Sequence, residues 1–428
     1  MAADGVRLMH DDHVKMHGSL GSLDWSPPLC VTEFDACARL SFTDIKAHEF
    51  RDQDDVLQAK VVMLAGLVRR SRACVAFTGA GISTAAGIDD YATKGRDVSV
   101  TAEGRPCVHD WKKARPTRGH RVLVAMYEAG LLKHWVQQNH DSLPQKAGYP
   151  QHALNEIHGS LHDPSNPIVP YEGVLRDDLF AWLDQWERKN DLCLALGTSL
   201  SGFNVDSFPE TAANRYLMGD SLGLVIVNLQ QTSHDAACAL RIFATIDSVM
   251  ELLAQELALG DRVRPMDHVH VPQLCDGALV EDDVFMVPFD AEGNASQEKS
   301  VWDLRLGRRV KLTGGPYCSD IGTIVEKSVE GHYRIRVEDS INPLLNMKRR
   351  PFSLWLGNWW LEEATQGYGI CPGSGIPFVN VPDVQETQEE QIPSQPKPVG
   401  PARKPISAFQ PPPLPPKRTP NPPVTSQV

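Results

Sequence analysis

At 428 residues and 42% hydrophobic content, the chain has room for one large α/β domain with a sizeable core and one or two smaller parts. Its formal net charge of −12 argues against general affinity for nucleic acid, which needs clustered positive charge, and leaves only a local basic patch open. No apolar run long enough to span a membrane is present, and the first residues lack the apolar centre of a secretory signal.

Residues 1–50 show no sustained period and read as a loose extension. Val56, Ala59, Val62, Met63 and Leu67 recur at helical spacing, and Arg69-Arg70 suits the negative end of a helix. Ala73 to Thr78 is an apolar run of strand length. It leads into Gly79-Ala80-Gly81-Ile82-Ser83, and Thr84 to Ile88 reads as the first turn of a helix. A strand, a glycine-rich turn and a helix start form a cradle for a phosphate-bearing ligand, because backbone N–H groups can approach it closely. Residues 92–113 look like a loop. Pro116-Thr117 opens an amphipathic helix that Gly130 closes. Residues 133–138 form a strand ending in Gln138-Asn139-His140-Asp141. A helix is expected over 176–189, and strands over 191–196 and 223–228 end in Gly197-Thr198-Ser199 and Asn228-Leu229-Gln230. The expected fold class is therefore α/β, a doubly wound parallel sheet of Rossmann type. In such a sheet, polar residues at successive strand ends converge on one crevice. A closing helix is expected over 247–259.

The character changes after Gly260. Residues 261–300 read as an acidic, loop-like linker. Runs at 309–312, 321–325 and 332–337, with an aromatic stretch from Phe352 to Trp360, predict a small five-stranded SH3-like or KOW-like barrel over 301–366. Such a barrel serves either as packing or as a docking module for protein or nucleic acid. From 367 the chain is expected to lack a core, and from Asp383 it is Pro-, Gln- and Lys-rich. Pro412-Pro413-Leu414-Pro415-Pro416-Lys417 fits a polyproline II ligand for an SH3 domain. The nine cysteines are dispersed with no Cys-x-x-Cys pair, which suits reduced thiols in the nucleus or cytoplasm.

From about Asp54 to Leu259 the chain resembles the sirtuins, most closely the nuclear branch. The resemblance is carried in order by Gly79 to Ser83, Gly87 to Tyr91, Ala114 to Thr117 and Gln138-Asn139-x-Asp141. It continues through His158-Gly159-Ser160, Gly197 to Leu200 and the Asn228-Leu229-Gln230 strand end. It assigns residues 51–260 to an NAD-binding catalytic domain with a reduced small domain. The implied activity is NAD-dependent deacylation of protein lysine, with the acyl group moved to ADP-ribose and nicotinamide released. The implied catalytic residues are His158, Asn139 and Asp141. His158 would act as general base, as a neutral imidazole near pKa 6.5 can. Asp141 would hold the nicotinamide carboxamide, since a carboxylate accepts amide N–H bonds. The implied cofactor-binding set is Gly79, Ala80, Gly81, Ser83, Asp90, Tyr91, Gln138, Gly197, Thr198, Ser199, Asn228 and Gln230.

The sequence also departs from the family. Gly-Ile-Pro-Asp-Phe-Arg reads Gly87-Ile88-Asp89-Asp90-Tyr91-Ala92 here. His140 stands where a β-branched residue is usual, and Gly-Leu-His after the Asp becomes Ser142-Leu143-Pro144. The two Cys-x-x-Cys pairs that suit tetrahedral zinc are absent after His158, so no zinc and no metal ligands are expected. Two other readings follow from these departures. One is ADP-ribosyl transfer or NAD hydrolysis, which needs Asn139 and Asp141 but no acyl-lysine tunnel. The other is a non-catalytic NAD-binding scaffold.

Overall fold

Much of the described part of residues 12–50 forms a helix and strands where the sequence predicts a loose extension. The computed structural model describes residues 12–35, 37–39, 42–89, 113–170, 173–201, 204–342 and 345–382. Helix α1 (residues 12–17) precedes β1 (Leu29–Thr32), β2 (Cys37–Arg39), β3 (Phe42–Lys46) and β4 (Glu49–Arg51). β1 pairs antiparallel with β4, and β2 with β3. Their anchors lie far along the chain, so no local pattern announces them. Phe50 N–H donates to Leu229 O at 2.8 Å and Asp52 N–H to Phe243 O at 2.7 Å. Asp52 also pairs with Lys60 at 2.7 Å, both side chains being fully buried. Lys60 Nζ donates in addition to Met16 O at 3.2 Å. A buried pair of this kind holds its elements together only while both charges are present.

Helices and strands then alternate: α2 (Asp54–Arg70), β5 (Cys74–Thr78), α3 (Arg118–Glu128), β6 (His134–Gln137), α4 (Leu143–Ala147), β7 (Leu154–Glu156), α5 (Asp177–Lys189), β8 (Leu192–Leu196), α6 (Ser207–Leu217), β9 (Gly223–Val227), β10 (Leu240–Ile242) and α7 (Ile246–Glu256). Local chemistry sets several of the helix ends. Asp54 and Asp55 start α2, and Arg69 and Arg70 finish it. Thr117 and His120 form a reciprocal capping box at α3. The six strands form one parallel sheet in the order β10-β9-β8-β5-β6-β7. Alternate residues of each strand serve two cores. Val75, Phe77, Cys193 and Ala195 face the α5–α6 layer, while Cys74, Ala76, Leu192 and Leu194 face α2, α3 and α7. The chain runs outward from β5 through β6 to β7 and returns through β8 to β10. The order therefore reverses between β5 and β8, the place where open α/β sheets bind ligands.

One local expectation fails here. After Gly79 the chain makes two 3₁₀ turns, Ala80–Ile82 and Thr84–Ala86, rather than the first turn of an α-helix. Gly87, at φ 84°, ends the second turn in the left-handed region. The cradle is thus built from turn backbone.

Downstream lie β11 (Leu279–Glu281), β12 (Val284–Phe289), β13 (Ala295–Asp303), β14 (Arg309–Leu312), β15 (Ile321–Lys327), β16 (Tyr333–Val337), β17 (Ile341–Asn342), β18 (Met347–Lys348), β19 (Phe352–Leu356), α8 (Trp359–Gln366) and β20 (Phe378–Asn380). Part of the expected linker is therefore a three-stranded sheet, β11-β12-β13. The expected barrel is an antiparallel ladder, β19-β16-β15-β14-β20. Among the described residues no pairing joins β19 to β20, so the ladder is open. Its fifth strand comes from the stretch expected to lack a core. β20 is short, and its partner β14 lies far back in the sequence. The aromatic run also divides: β19 stops at Leu356 and Trp359 opens α8. Gly357 N–H donates to His162 O at 2.8 Å and Asn358 N–H to His332 Nδ1 at 3.1 Å, which turns the chain. Phe285, Trp302, Trp360 and Phe378 share one buried cluster with Leu179, Trp182 and Leu183 of α5. This C-terminal module thus packs on the same face of the parallel sheet as α5. Among the described residues no helix is long and apolar enough to cross a membrane.

Candidate active site

Three glycines bring the ends of β5 and β8 together. A Cβ on Gly79 would lie 2.9 Å from Gly197 O, and one on Gly81 2.7 Å from Gly197 Cα. A Cβ on Gly197, at φ 61°, would lie 2.6 Å from Gly81 C. Glycine at these positions lets the two turns pack backbone to backbone. Gly81 N–H donates to Gly197 O at 2.8 Å and Gly79 N–H to Leu196 O at 3.2 Å.

The polar residues after β6 join this cradle. Asn139 Nδ2 donates to Gly79 O at 3.0 Å and to Ser83 Oγ at 3.1 Å. Ser83 Oγ donates to Asp141 Oδ2 at 2.6 Å. Asp141 Oδ1 accepts Leu143 N–H at 3.0 Å and Gln137 Nε2 at 3.4 Å. A carboxylate has about four lone-pair positions, so these three bonds leave it able to accept one more N–H. Gln138 Nε2 donates to Thr198 Oγ1 at 3.1 Å, and Asn228 Nδ2 to Thr198 O at 3.2 Å. Ser199 Oγ bonds Ser201 Oγ.

His158 stands across the crevice mouth from Gln138. Its Nδ1 lies 3.3 Å from Gln138 O, which assigns the proton to Nδ1 and leaves Nε2 as a base. Burial, with His140 nearby, lowers its pKa to about 4, so the imidazole is neutral at pH 7. His140 Nδ1 reaches Gly159 O at 2.9 Å. These two contacts stitch the β6 end to the segment after β7. Glu156, buried two residues before His158, has its pKa raised by burial to about 8.

The structure thus gathers Gly79, Ala80, Gly81, Ser83, Gln138, Asn139, Asp141, His158, Gly197, Thr198, Ser199 and Asn228 around the strand ends at the switch point. Gln230, after β9, is bridged to Glu49. Asp90 and Tyr91 lie outside the described residues.

Supporting residues escaped sequence reasoning. Arg241 is fully buried and donates to Asn228 O at 2.9 Å and Gln230 O at 2.6 Å, while pairing with Asp235 at 2.8 Å. An arginine inside the apolar triplet Leu240-Arg241-Ile242 was the available signal. Trp135 Nε1 donates to Thr78 Oγ1 at 2.7 Å, and Thr78 in turn bonds Gln137, which touches Asp141. Ser142 adopts φ 59°, a left-handed conformation costing an L residue about 1–2 kcal/mol. Its Oγ lies 3.0 Å from His162 Nδ1 and 3.5 Å from Ser160 Oγ.

No protein-family model matches the chain. Curated relatives do. NAD-dependent protein deacetylase sirtuin-7 of Mus musculus is 31% identical over 257 residues, 50% of this chain and 63% of that protein. NAD-dependent protein deacetylase SRT1 of Arabidopsis thaliana is 28% identical over 356 residues, 73% of this chain and 70% of that protein. Over about half its length the chain is similar to sirtuins. It spans less than two thirds of the mouse relative's length. A solved structure described as Sir2-p53 peptide-NAD+ is 22% identical, covers 46% of this chain and 98% of that chain, and has a TM-score of 0.39, too low to carry an argument.

No group of three His, Cys, Asp or Glu among the described residues is placed to hold a metal ion. The segments on both sides of His158 touch the C-terminal module. Besides Gly357 on His162 O, Glu363 accepts from Gln151 N at 2.7 Å and lies 2.9 Å from His152 Nδ1.

Proposed function

We propose that this chain is a sirtuin and an NAD-dependent protein-lysine deacylase. The observation that carries the reading is the hydrogen-bonded run Gly79–Asn139–Ser83–Asp141 at the switch point, with the neutral imidazole of His158 beside it. The residues fit NAD: a glycine cradle of turn backbone for the pyrophosphate, one remaining acceptor position on Asp141 for a carboxamide N–H, and Asn228 and Gln230 toward the adenosine end. Bound NAD supplies an electrophilic ribose carbon with nicotinamide as leaving group. Asn139, fixed on Gly79 and Ser83, orients the ribose side. His158 Nε2 takes a proton from a ribose hydroxyl while Nδ1–H stays on Gln138 O. Asp90 and Tyr91 belong to the same proposed cofactor set. The partner is an acylated lysine side chain of a protein, in the nucleus or cytoplasm. The Pro412–Lys417 motif, outside the described residues, is proposed as a ligand for an SH3 domain.

Purified full-length protein with NAD tests this, with and without acetylated and long-chain acylated lysine peptides. Nicotinamide release is expected only with peptide, matched mole for mole by deacylated product. Release without peptide consumption would replace the reading by hydrolase or transferase chemistry. Binding without release would leave a scaffold.

Gly197→Ala is expected to lower NAD affinity by at least about tenfold and to reduce thermal stability. The added methyl meets Gly81 backbone, and the position lies in the left-handed region. Calorimetry and thermal melting check both effects. Unchanged affinity would remove Gly197 from the cofactor set.

A further inference from the structure

The wall of the site that carries Asp141 does not stand alone. Asp141 is followed by Ser142 in the left-handed region and then by α4. That turn sends Leu143 N–H onto Asp141 Oδ1 at 3.0 Å, so the orientation of the carboxylate depends on Ser142 staying where it is. An L residue keeps such a conformation only when its surroundings hold it. The closer side-chain holder of Ser142 is His162, at 3.0 Å through Nδ1.

His162 is buried and rests on the C-terminal module. Its ring lies 4.6 Å from the His332 ring and 5.3 Å from Trp359, and its carbonyl accepts Gly357 N–H at 2.8 Å. His332 is fixed in turn by Asn358 N–H on Nδ1 at 3.1 Å. The helix after Ser142 is held from the same side, with Lys146 within 4.0 Å of Glu330. The His162 and Lys146 contacts join the segments around Asp141 and His158 to residues beyond 320.

We propose that the C-terminal module is a functional part of the site, and that His162 is the positioning residue through which it fixes Ser142 and thereby the Asp141 carboxylate. The proposal rests on the reading of Asp141 as the group that holds the nicotinamide amide. It assigns the module a task at the nicotinamide end of the crevice and none at the adenosine end, which Arg241 organises from β10.

The test compares two ligands on the full chain. NAD carries the nicotinamide that Asp141 is to hold, and ADP-ribose lacks it. For His162→Phe, which keeps a ring against His332 and Trp359 but loses the Ser142 bond, NAD affinity by calorimetry is expected to fall about tenfold, the size of one hydrogen bond at a preorganised site. ADP-ribose affinity is expected to stay within about twofold. His162→Asn, which keeps a polar atom near the Nδ1 position, is expected to recover most of the NAD affinity. If His162→Phe does not fold, His332→Asn carries the same comparison, since it keeps an acceptor for Asn358 and removes the ring contact with His162. A parallel fall for both ligands, or no change for either, overturns the proposal. Wild type that binds both ligands but releases no nicotinamide sinks the deacylase reading, while the NAD-to-ADP-ribose contrast still decides this inference. Wild type that binds no NAD overturns both.

Discussion

His158→Ala is expected to abolish acyl transfer, by about 10²–10⁴-fold, while NAD affinity stays within about twofold. Among the described residues the imidazole's hydrogen bond to the protein is through Nδ1, which leaves Nε2 as its basic atom. Removing it deletes a proton acceptor needed in the transition state and leaves the glycine cradle and the Asn139–Ser83–Asp141 run untouched. Asn139→Ala differs, because Asn139 ties Gly79 to Ser83 and is part of the cradle itself. It is expected to weaken NAD binding as well as turnover. Calorimetry paired with deacylation of an acetylated and a fatty-acylated peptide separates the two. Equal nicotinamide release by wild type and His158→Ala, with no peptide consumed, would show that His158 is no base for acyl transfer. The pH profile gives a second check. Burial lowers the His158 pKa to about 4, so the acid limb of kcat/KM should fall well below the 6.5 of a free imidazole.

The second large effect is on stability in mild acid. Burial lowers the pKa of His17 and His134 to about 3 and of His120 to about 4, and none of the three has exposed surface. In the unfolded chain each titrates near 6.5. Between pH 6.5 and about 4 the unfolded state therefore binds more protons than the native state, and stability rises with pH across that window. For His120 the penalty is complete near pH 4, and for His17 and His134 it keeps accruing to about pH 3. Each such histidine removes at most about 1.4 kcal/mol per pH unit as the pH falls. Asp52, Glu156, Asp163 and Asp247 oppose this, because burial raises their pKa values and the native state then binds the extra protons. A single-site difference isolates the histidine contribution. His134 lies between Trp182 and Trp186, its ring 4.6 Å and 4.8 Å from theirs. His134→Phe is expected to flatten the stability-versus-pH slope between pH 6.5 and 4 by up to about 1.4 kcal/mol per unit. Denaturant unfolding of both proteins across that range measures it. Parallel slopes would mean that His134 is not neutral in the folded state.

Much of the site was legible because its chemistry is local in sequence. Apolar runs of strand length ending in Gly197-Thr198-Ser199 or Asn228-Leu229-Gln230 announce buried parallel strands with polar ends, and a parallel sheet brings such ends together. The Gly79 turn, the Thr117 cap and the charged ends of α2 are likewise short-range signals. The 3₁₀ geometry after Gly79 was not legible, because the same small residues suit either kind of turn.

What only the tertiary structure decided depends on which groups meet in the folded core. β1 and β4 are ordered by Leu229 and Phe243, and Lys60 is acceptable in a core because Asp52 meets it there. Arg241 reads as an oddity in an apolar strand until the carbonyls of Asn228 and Gln230 are seen to surround it. β20 has three residues and no period of its own, and it exists as a strand because β14 offers an edge. The sequence by itself determined the parallel sheet and the polar strand ends at its switch point, since each is written in a window of a few residues. The packing of the C-terminal module against His162 and Gln151 was decided by burial shared between distant segments, and no local pattern encodes that.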